Sequence, residues 1–374
     1  MTIVNNFAKI NLTLYIIEDI LLSEGSTCMK NNKRFGFGII GCGMIADFHA
    51  NSILELEDDA ELIGVADTVK DAALKFSSRY AVRCFESPGE LLACPGIDIV
   101  CICTPSGYHA DVAVAAARQG KNIIIEKPMG ITKDQLDRIE RACDESGVTV
   151  SPISQSRFSR SVRMARDAIR EGRLGRIVCA DAYMKFYRSQ EYYDSGSWRG
   201  TKRLDGGGAL MNQGIHGVDL LLYLAGDIVS VYAVSKTLTR RIEVEDTLAC
   251  IVEYESGATG VIQATTSVFP GYPRRIEING SDGTIALEET SVVKWDLGSG
   301  AQDIDVGGEF RSSASVPTEI SPRYHTAQIK DVINALRTGT RPQIDQHEGR
   351  RAVDIILAIY RSAEEHRTVY IGED

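Results

Sequence analysis

The stretch that most constrains this chain is RFGFGIIGCGMIADFH, Arg34 to His49. Phe35–Ile40 is a short apolar run of the kind that forms a buried strand, and it leads directly into Gly41-Cys42-Gly43-Met44-Ile45-Ala46, after which a helical pattern begins. Gly41 permits a tight turn, Gly43 lacks a Cβ and lets backbone approach a pyrophosphate, and Ala46 is small enough for the helix to pack against the strand. The pyrophosphate would rest on the free N–H groups of the helix start, where the dipole also favours negative charge. A glycine turn alone serves any strand–helix junction. Here a second strand-like run, Glu61–Ala66, ends at Asp67, about 20 positions beyond the turn, where a carboxylate would hold ribose hydroxyls. Asp67 accepts bonds from a free 2′-OH and repels a 2′-phosphate, and the nearest base is Lys70, so the pattern favours NAD over NADP.

The 374 residues suffice for two domains and a sizeable core, and a content of 44% hydrophobic and 25% charged residues is that of a soluble protein. A net charge of −10 without a basic block argues against nucleic acid or an anionic membrane as partner, and no apolar run is long enough to span a bilayer. Nine cysteines, an odd number with no CxxC pair, indicate buried apolar residues in a reducing cytoplasm rather than a disulfide framework. Cys101 and Cys103 lie two apart in an apolar run and so share a strand face. Six histidines without carboxylates at ligand spacing give no metal signal.

Residues 1–33 read as an extension separate from the fold. LTLYII at 12–17 is interrupted by Glu18 and Asp19 and lacks the flanks of a signal peptide, so the expectation is a disordered arm or a start placed too early, with Met29 as the working start. From 34 to 154 strand-like runs (35–40, 61–66, a weaker 82–85, 97–103, 122–125, 148–153) alternate with helical patterns (45–55, 69–80, 108–119, 133–146). This predicts an α/β fold, a doubly wound parallel sheet of Rossmann type. Ligands of such sheets collect beyond the carboxyl ends of the strands. Two of those ends are distinctive: Thr104-Pro105-Ser106-Gly107-Tyr108-His109 and Glu126-Lys127-Pro128, where a Lys and a Glu face the ligand crevice. From 155 to 374 the pattern becomes a helix at 163–171, strands at 177–186, 228–237, 247–255, 260–266, 275–279 and 283–288, helices at 324–336 and 347–365, and an edge strand at 369–371. That is a second, α+β domain with a large, mainly antiparallel open sheet. One helix interrupts it. Asp205-Gly206-Gly207-Gly208 leads into 209–224, where Asn212, His216 and Asp219 share one face. The triple glycine suggests a place where backbone approaches a ligand.

On these residues the chain resembles the Gfo/Idh/MocA oxidoreductase family, which includes glucose–fructose oxidoreductase and inositol dehydrogenase. The resemblance runs from about 30 to 374 and rests on GCGMIA at 41–46, TPSGYH at 104–109, EKP at 126–128, GGGALMNQGIHGVD at 206–219 and the tail GRRAVDIILAIYRSA. It implies a Rossmann domain, an open sheet that often forms oligomer contacts, here a homodimer or homotetramer, and oxidation or reduction of sugars, polyols or sugar nucleotides. It implies a catalytic role for Lys127 in orienting the hydroxyl and moving its proton, with His216 as acid/base beside it. Pro105 and His109, with Thr104 and Glu126, fall where the family lines the nicotinamide side. The family commonly has Asp where Asn212 stands; Asn cannot hold a charge against His216 but can still bond substrate or the imidazole. The segment Trp198 to Thr201 looks most like the branch containing UDP-sugar-uronate 3-dehydrogenases, and Arg199 would suit a carboxylate or phosphate, or serve structurally.

The implied activity is NAD-dependent oxidation or reduction of a secondary hydroxyl, with substrate against Lys127, Trp198, Arg199, Asn212 and His216. Two other classes share the scaffold: a lyase or glycosidase that oxidises its sugar transiently and recycles NAD, and a sugar or cofactor sensor without turnover.

Overall fold

A computed structural model describes residues 33–298 and 322–373; the expectations for residues 1–32 lie outside it. The elements belong to a unit spanning Arg34–Asp374. Its first sheet contains β1 (Phe35–Ile40), β2 (Ala60–Ala66), β3 (Arg83–Cys84), β4 (Ile99–Ile102), β5 (Asn122–Ile125) and β6 (Val150–Pro152), in the order β3-β2-β1-β4-β5-β6 with every pair parallel. Order reverses between β1 and β4, which opens a crevice at their carboxyl ends. The helices Met44–Leu54, Lys70–Tyr80, His109–Arg118 and Lys133–Ser146 agree with the periodicity to within two residues. The helix Lys133–Ser146 has local signals at both ends: Thr132 accepts a bond from the Gln135 N–H, and Gly147 closes it in the left-handed conformation. The sequence pattern missed the helix Pro88–Ala93, whose six residues are too few to show a period.

Alternation along β4 separates two cores. Ile99, Cys101 and Cys103 pack with Ile39 and Ile124 on one face; Val100 and Ile102 pack with Ile40 and Ile125 on the other. The first core also takes Ile329, Val332 and Ile333 from the helix Arg323–Thr338. The chain therefore returns near its end to cover the parallel sheet, a long-range contact that no local pattern announces.

The second sheet comprises β7 (Ile177–Lys185), β8 (Ile228–Lys236), β9 (Thr247–Tyr254), β10 (Thr259–Thr265), β11 (Arg275–Gly280), β12 (Gly283–Glu288), β13 (Ser291–Leu297) and β14 (Val369–Tyr370). The order is β13-β12-β11-β7-β10-β9-β8-β14, antiparallel except for the parallel pair β7–β10. One face of this sheet packs on the helices Ile215–Ala225 and Gln346–Glu365, and this core is continuous with that of the parallel sheet.

The helix expected over 209–224 begins instead as a wide π-helical turn, Ala209–Gly214, before the α-helix Ile215–Ala225. Glu245 caps this start. Its buried carboxylate accepts the N–H groups of Gly208 (2.9 Å) and Leu210 (2.8 Å) and the hydroxyl of Tyr360 (2.8 Å), while Met211 N–H reaches the same hydroxyl at 3.1 Å. These first-turn N–H groups have no partner within the helix, and side chains satisfy them. The triple glycine is likewise corrected: its neighbours are protein. A Cβ on Gly206 would lie 2.3 Å from Ile131, on Gly207 2.2 Å from the Tyr360 hydroxyl, and on Gly208 1.9 Å from the Glu245 carbonyl.

Asp219 also departs from expectation. It turns from Asn212 and His216 to a buried pair with Arg157, whose Nε and Nη2 donate at 3.0 and 2.6 Å, while Nη1 donates to Glu348 at 2.6 Å. Burial demands a countercharge, and Arg157 supplies it. This fork joins the 3₁₀ turn Gln155–Phe158 to the helices Ile215–Ala225 and Gln346–Glu365. Arg157→Ala leaves Asp219 buried and unpaired and should cost about 3–5 kcal/mol in urea unfolding; a loss below ~1 kcal/mol would show that the fork is dispensable.

Candidate active site

The carboxyl ends of the parallel sheet and the inner side of the second sheet enclose a cleft of about 880 Å³. Its first wall is the glycine turn. Gly41 has φ +95°, and a Cβ there would press to 2.6 Å from the Cys103 carbonyl, so glycine is required on both counts. A Cβ on Gly43 would meet no atom within 4 Å, so this glycine leaves open space at the start of the helix Met44–Leu54, which no side chain caps. Asp67 closes the wall, its two oxygens accepting the N–H groups of Cys42 (2.7 Å) and Val69 (2.8 Å). Gly41, Gly43, Met44, Ile45 and Asp67 line the cleft; Cys42 does not, its thiol lying against the Ala66 carbonyl and pushed up to about 12 chiefly by burial. An open backbone cradle, an uncapped helix start and a carboxylate at the second strand end fit a dinucleotide.

Thr104, Pro105, His109, Glu126 and Lys127 follow β4 and β5 and line the floor. His109 is buried, its ring nitrogens 2.7 Å from the Pro128 carbonyl and 2.8 Å from that of Thr104; as a neutral ring it donates to one of the two. Burial holds it below the usual histidine range, against the two carbonyls that favour its cation. The Lys127–Pro128 peptide is cis. Glu126 bonds His49 Nε2 at 2.8 Å; although burial alone would raise it, that bond and the neighbouring His325 and Lys127 bring it down to about 2. Lys127 Nζ donates to the Asn212 carbonyl at 2.6 Å. Burial lowers the Lys127 pKa; the charges of Glu126 and Asp205 oppose this, and those of Arg188 and Arg199 add to it. His216 faces the same space and is held well below the usual range by burial, with the Lys127 and Arg274 charges adding. An amine and an imidazole, each held below its ordinary pKa chiefly by burial, thus line the same cleft.

Asn212 lines the cleft, and its amide donates to Asp205, a buried carboxylate that also accepts the Gly200 N–H at 2.8 Å. Burial pushes Asp205 up to about 6, against the Gly200 and Asn212 bonds and the Lys127 charge. The negative charge that position 212 lacks thus stands one residue behind it. No spacing rule reveals this, because Asp205 lies in the turn before the helix.

The far wall holds Trp198 and Arg199, as expected, together with Arg188, Tyr192, Gln213 and Arg274, which local pattern did not single out. Arg199 stacks on Tyr192 (4.4 Å) and Trp198 (4.5 Å) and donates to the Tyr192 hydroxyl at 2.7 Å. Arg188 donates to Gln213 at 2.9 Å, and Gln213 donates to the Tyr192 hydroxyl at 3.0 Å. Arg274 lies 3.3 Å from Glu289. Three guanidinium groups from distant stretches of chain line this cleft, a convergence that only folding produces. His325, from the helix Arg323–Thr338, completes the lining and was also invisible beforehand.

The chain is similar to known proteins over nearly its whole length. The model of the oxidoreductase family with an NAD-binding Rossmann fold matches residues 35–154, and that of the GFO/IDH/MocA C-terminal domain matches 162–286. The WlbA dehydrogenase of Bordetella pertussis, crystallised with NADH and UDP-GlcNAcA, is 34% identical, with a TM-score of 0.82 over 91% of this chain and 100% of that one. The myo-inositol 2-dehydrogenase of Thermotoga maritima is 26% identical over 357 residues, 90% of this chain and 98% of that protein. The scyllo-inositol 2-dehydrogenase (NAD(+)) of Bacillus subtilis is 25% identical over 333 residues, 87% of this chain and 92% of that protein. With both family models matching in order along one such cleft, the chain belongs to the Gfo/Idh/MocA oxidoreductase family, and its N-terminal part is the NAD-binding Rossmann fold of that family.

Proposed function

We propose that this chain oxidises a secondary hydroxyl of a sugar derivative that carries a carboxylate or phosphate. The observation that carries the reading is one cleft lined by the glycine turn with Asp67, by Lys127 and His216, and by Arg188, Arg199 and Arg274. A UDP-sugar uronate is the specific candidate, supported by the UDP-GlcNAcA bound in the WlbA structure. NAD⁺, when bound, supplies the hydride acceptor. Gly41, Gly43, Met44 and Ile45 would cradle its pyrophosphate and Asp67 its ribose, with Thr104, Pro105 and Glu126 beside the nicotinamide.

Lys127, with its amine deprotonated, accepts the hydroxyl proton as the carbon hydride leaves, and a ketone remains. The Asn212 carbonyl fixes Nζ at 2.6 Å, so the lone pair is aimed before substrate arrives. His216, kept neutral, donates its N–H to the same oxygen and steadies the charge that develops there. Arg199, stacked and hydrogen-bonded, holds an anionic substituent at a fixed distance from the reacting carbon.

The test is NADH formation across sugars, polyols, sugar acids and UDP-sugars. An acidic substrate should exceed its neutral counterpart about 10- to 100-fold in kcat/KM, the worth of one charged hydrogen bond set. Preference for a neutral polyol would defeat the anionic reading. With the best substrate, Lys127→Ala should lower kcat about 10²–10⁴-fold while NAD⁺ affinity holds; full turnover would remove the lysine from the proton path.

The pH dependence carries a sign. Oxidation needs neutral Lys127, so kcat/KM rises with pH up to the lysine's pKa, which burial sets below its ordinary 10.5. The Asp205 charge raises that pKa. Asp205→Asn should therefore move the inflection to lower pH, and a shift upward, or none, would detach this limb from Lys127.

A further inference from the structure

We infer that Gln213 is a positioning residue that ties Arg199 to the asparagine beside Lys127, so that a substrate anchored on the arginine meets the lysine in one register. The inference rests on the acidic-substrate reading above. Gln213 lies in the π-helical turn Ala209–Gly214 and lines the cleft. Its amide is spent on protein. Nε2 donates to the Tyr192 hydroxyl at 3.0 Å and to Asn212 Oδ1 at 3.1 Å, and Oε1 accepts from Arg188 Nη2 at 2.9 Å. A side chain with both N–H groups committed in this way acts by holding its neighbours.

Those neighbours are the groups that the reaction needs in register. The Tyr192 hydroxyl, on the short helix Gln190–Asp194, also accepts from Arg199 Nη1 at 2.7 Å. Asn212 donates its amide to Asp205, and its backbone carbonyl accepts from Lys127 Nζ at 2.6 Å. Arg199, Tyr192, Gln213 and Asn212 are therefore bonded in unbroken sequence, with Lys127 and Asp205 on the last member. Arg188, Tyr192 and Arg199 belong to the stretch that follows β7, whereas Asn212 belongs to the π-helical turn. Gln213 joins the two.

The polarity of the bonds fixes every amide in the sequence. A guanidinium only donates, and an ionised carboxylate only accepts. Arg188, buried and held by the Tyr187 carbonyl at 2.8 Å, therefore draws the Gln213 oxygen to itself and sends the NH₂ group towards Tyr192 and Asn212. Asn212 must then turn its oxygen to Gln213, which leaves its own NH₂ group for Asp205, and that is the bond Asp205 receives. Donor meets acceptor at each step from Arg188 to Asp205. An aspartate at 212 would still accept from Gln213, but it would set a second carboxylate against Asp205. The same frame thus accounts for asparagine at this position.

The experiment is steady-state kinetics on the full chain with NAD⁺, the best acidic substrate and its neutral counterpart. Gln213→Leu keeps the bulk of the side chain and removes all three bonds. Its kcat with the acidic substrate should fall about 10- to 100-fold, as for a misplacement near ~1 Å at the reacting centre, while KM moves less than about threefold and the neutral counterpart loses about fivefold less. Unchanged NAD⁺ affinity by titration calorimetry reports an intact fold. Gln213→Glu, which keeps the Arg188 bond but cannot donate to Asn212, is the second variant and should lose kcat similarly. Tyr192→Phe cuts the same sequence one bond away, so its combination with Gln213→Leu should lose little more than the worse single variant, whereas independent residues would multiply their losses. Wild-type kcat in Gln213→Leu or Gln213→Glu, equal losses with acidic and neutral substrates, or multiplied losses in the double variant would overturn the inference alone. A wild type that prefers the neutral substrate would overturn the acidic-substrate reading, and this inference with it.

Discussion

Burying an amine in a cleft is costly unless something opposes its loss of hydration, and the structure around Lys127 is organised by that cost. Glu126 precedes it in the chain and supplies charge, but spends one oxygen on His49. Asp205 supplies charge from behind Asn212. Arg188 and Arg199 oppose both. The balance leaves the lysine below its ordinary pKa, and the Asn212 carbonyl holds it in place. Each contributor is anchored by other bonds: Asp205 by the Gly200 N–H, Asn212 by the π-helical turn, and that turn by Glu245 and Tyr360. The same lowered pKa that suits proton acceptance is thus a product of packing at several removes.

Several irregular features border this site. The π-helical turn, the triple glycine pressed against Ile131, Tyr360 and Glu245, and the unpaired atoms of His325, Gln155 and Thr104 all lie in or beside the cleft wall. Elsewhere the elements follow their local signals, with alternating burial along β9 and capped ends on the helix Lys133–Ser146. Such a division is expected where function asks for groups that folding alone would pair off.

The parallel sheet was legible because its signals are local. A strand, a glycine turn and a helix lie within sixteen residues, and an apolar run ending in an acid or in EKP is read without knowing what it touches. The strand Asn122–Ile125 and the helix Lys133–Ser146 match to the residue for this reason. Local signals failed where a distant group dictated conformation. Helical spacing put Asp219 on the face of His216, but Arg157 draws it away; three glycines suggested a ligand, but the close neighbours are Ile131, Tyr360 and the Glu245 carbonyl.

By itself the amino-acid order determined the parallel sheet, the dinucleotide turn with Asp67, and the placing of Glu126 and Lys127 at a strand end, since each depends on side-chain size and periodicity over a few residues. Tertiary structure decided which charges surround Lys127, that Arg188, Arg199 and Arg274 line one cleft, and that a helix from near the end of the chain brings His325 to it. Those facts depend on contacts between residues as far apart as Phe48 and His325. Such contacts carry no periodic trace in sequence, because each is fixed by the shape and charge of what it meets and not by its chain neighbours.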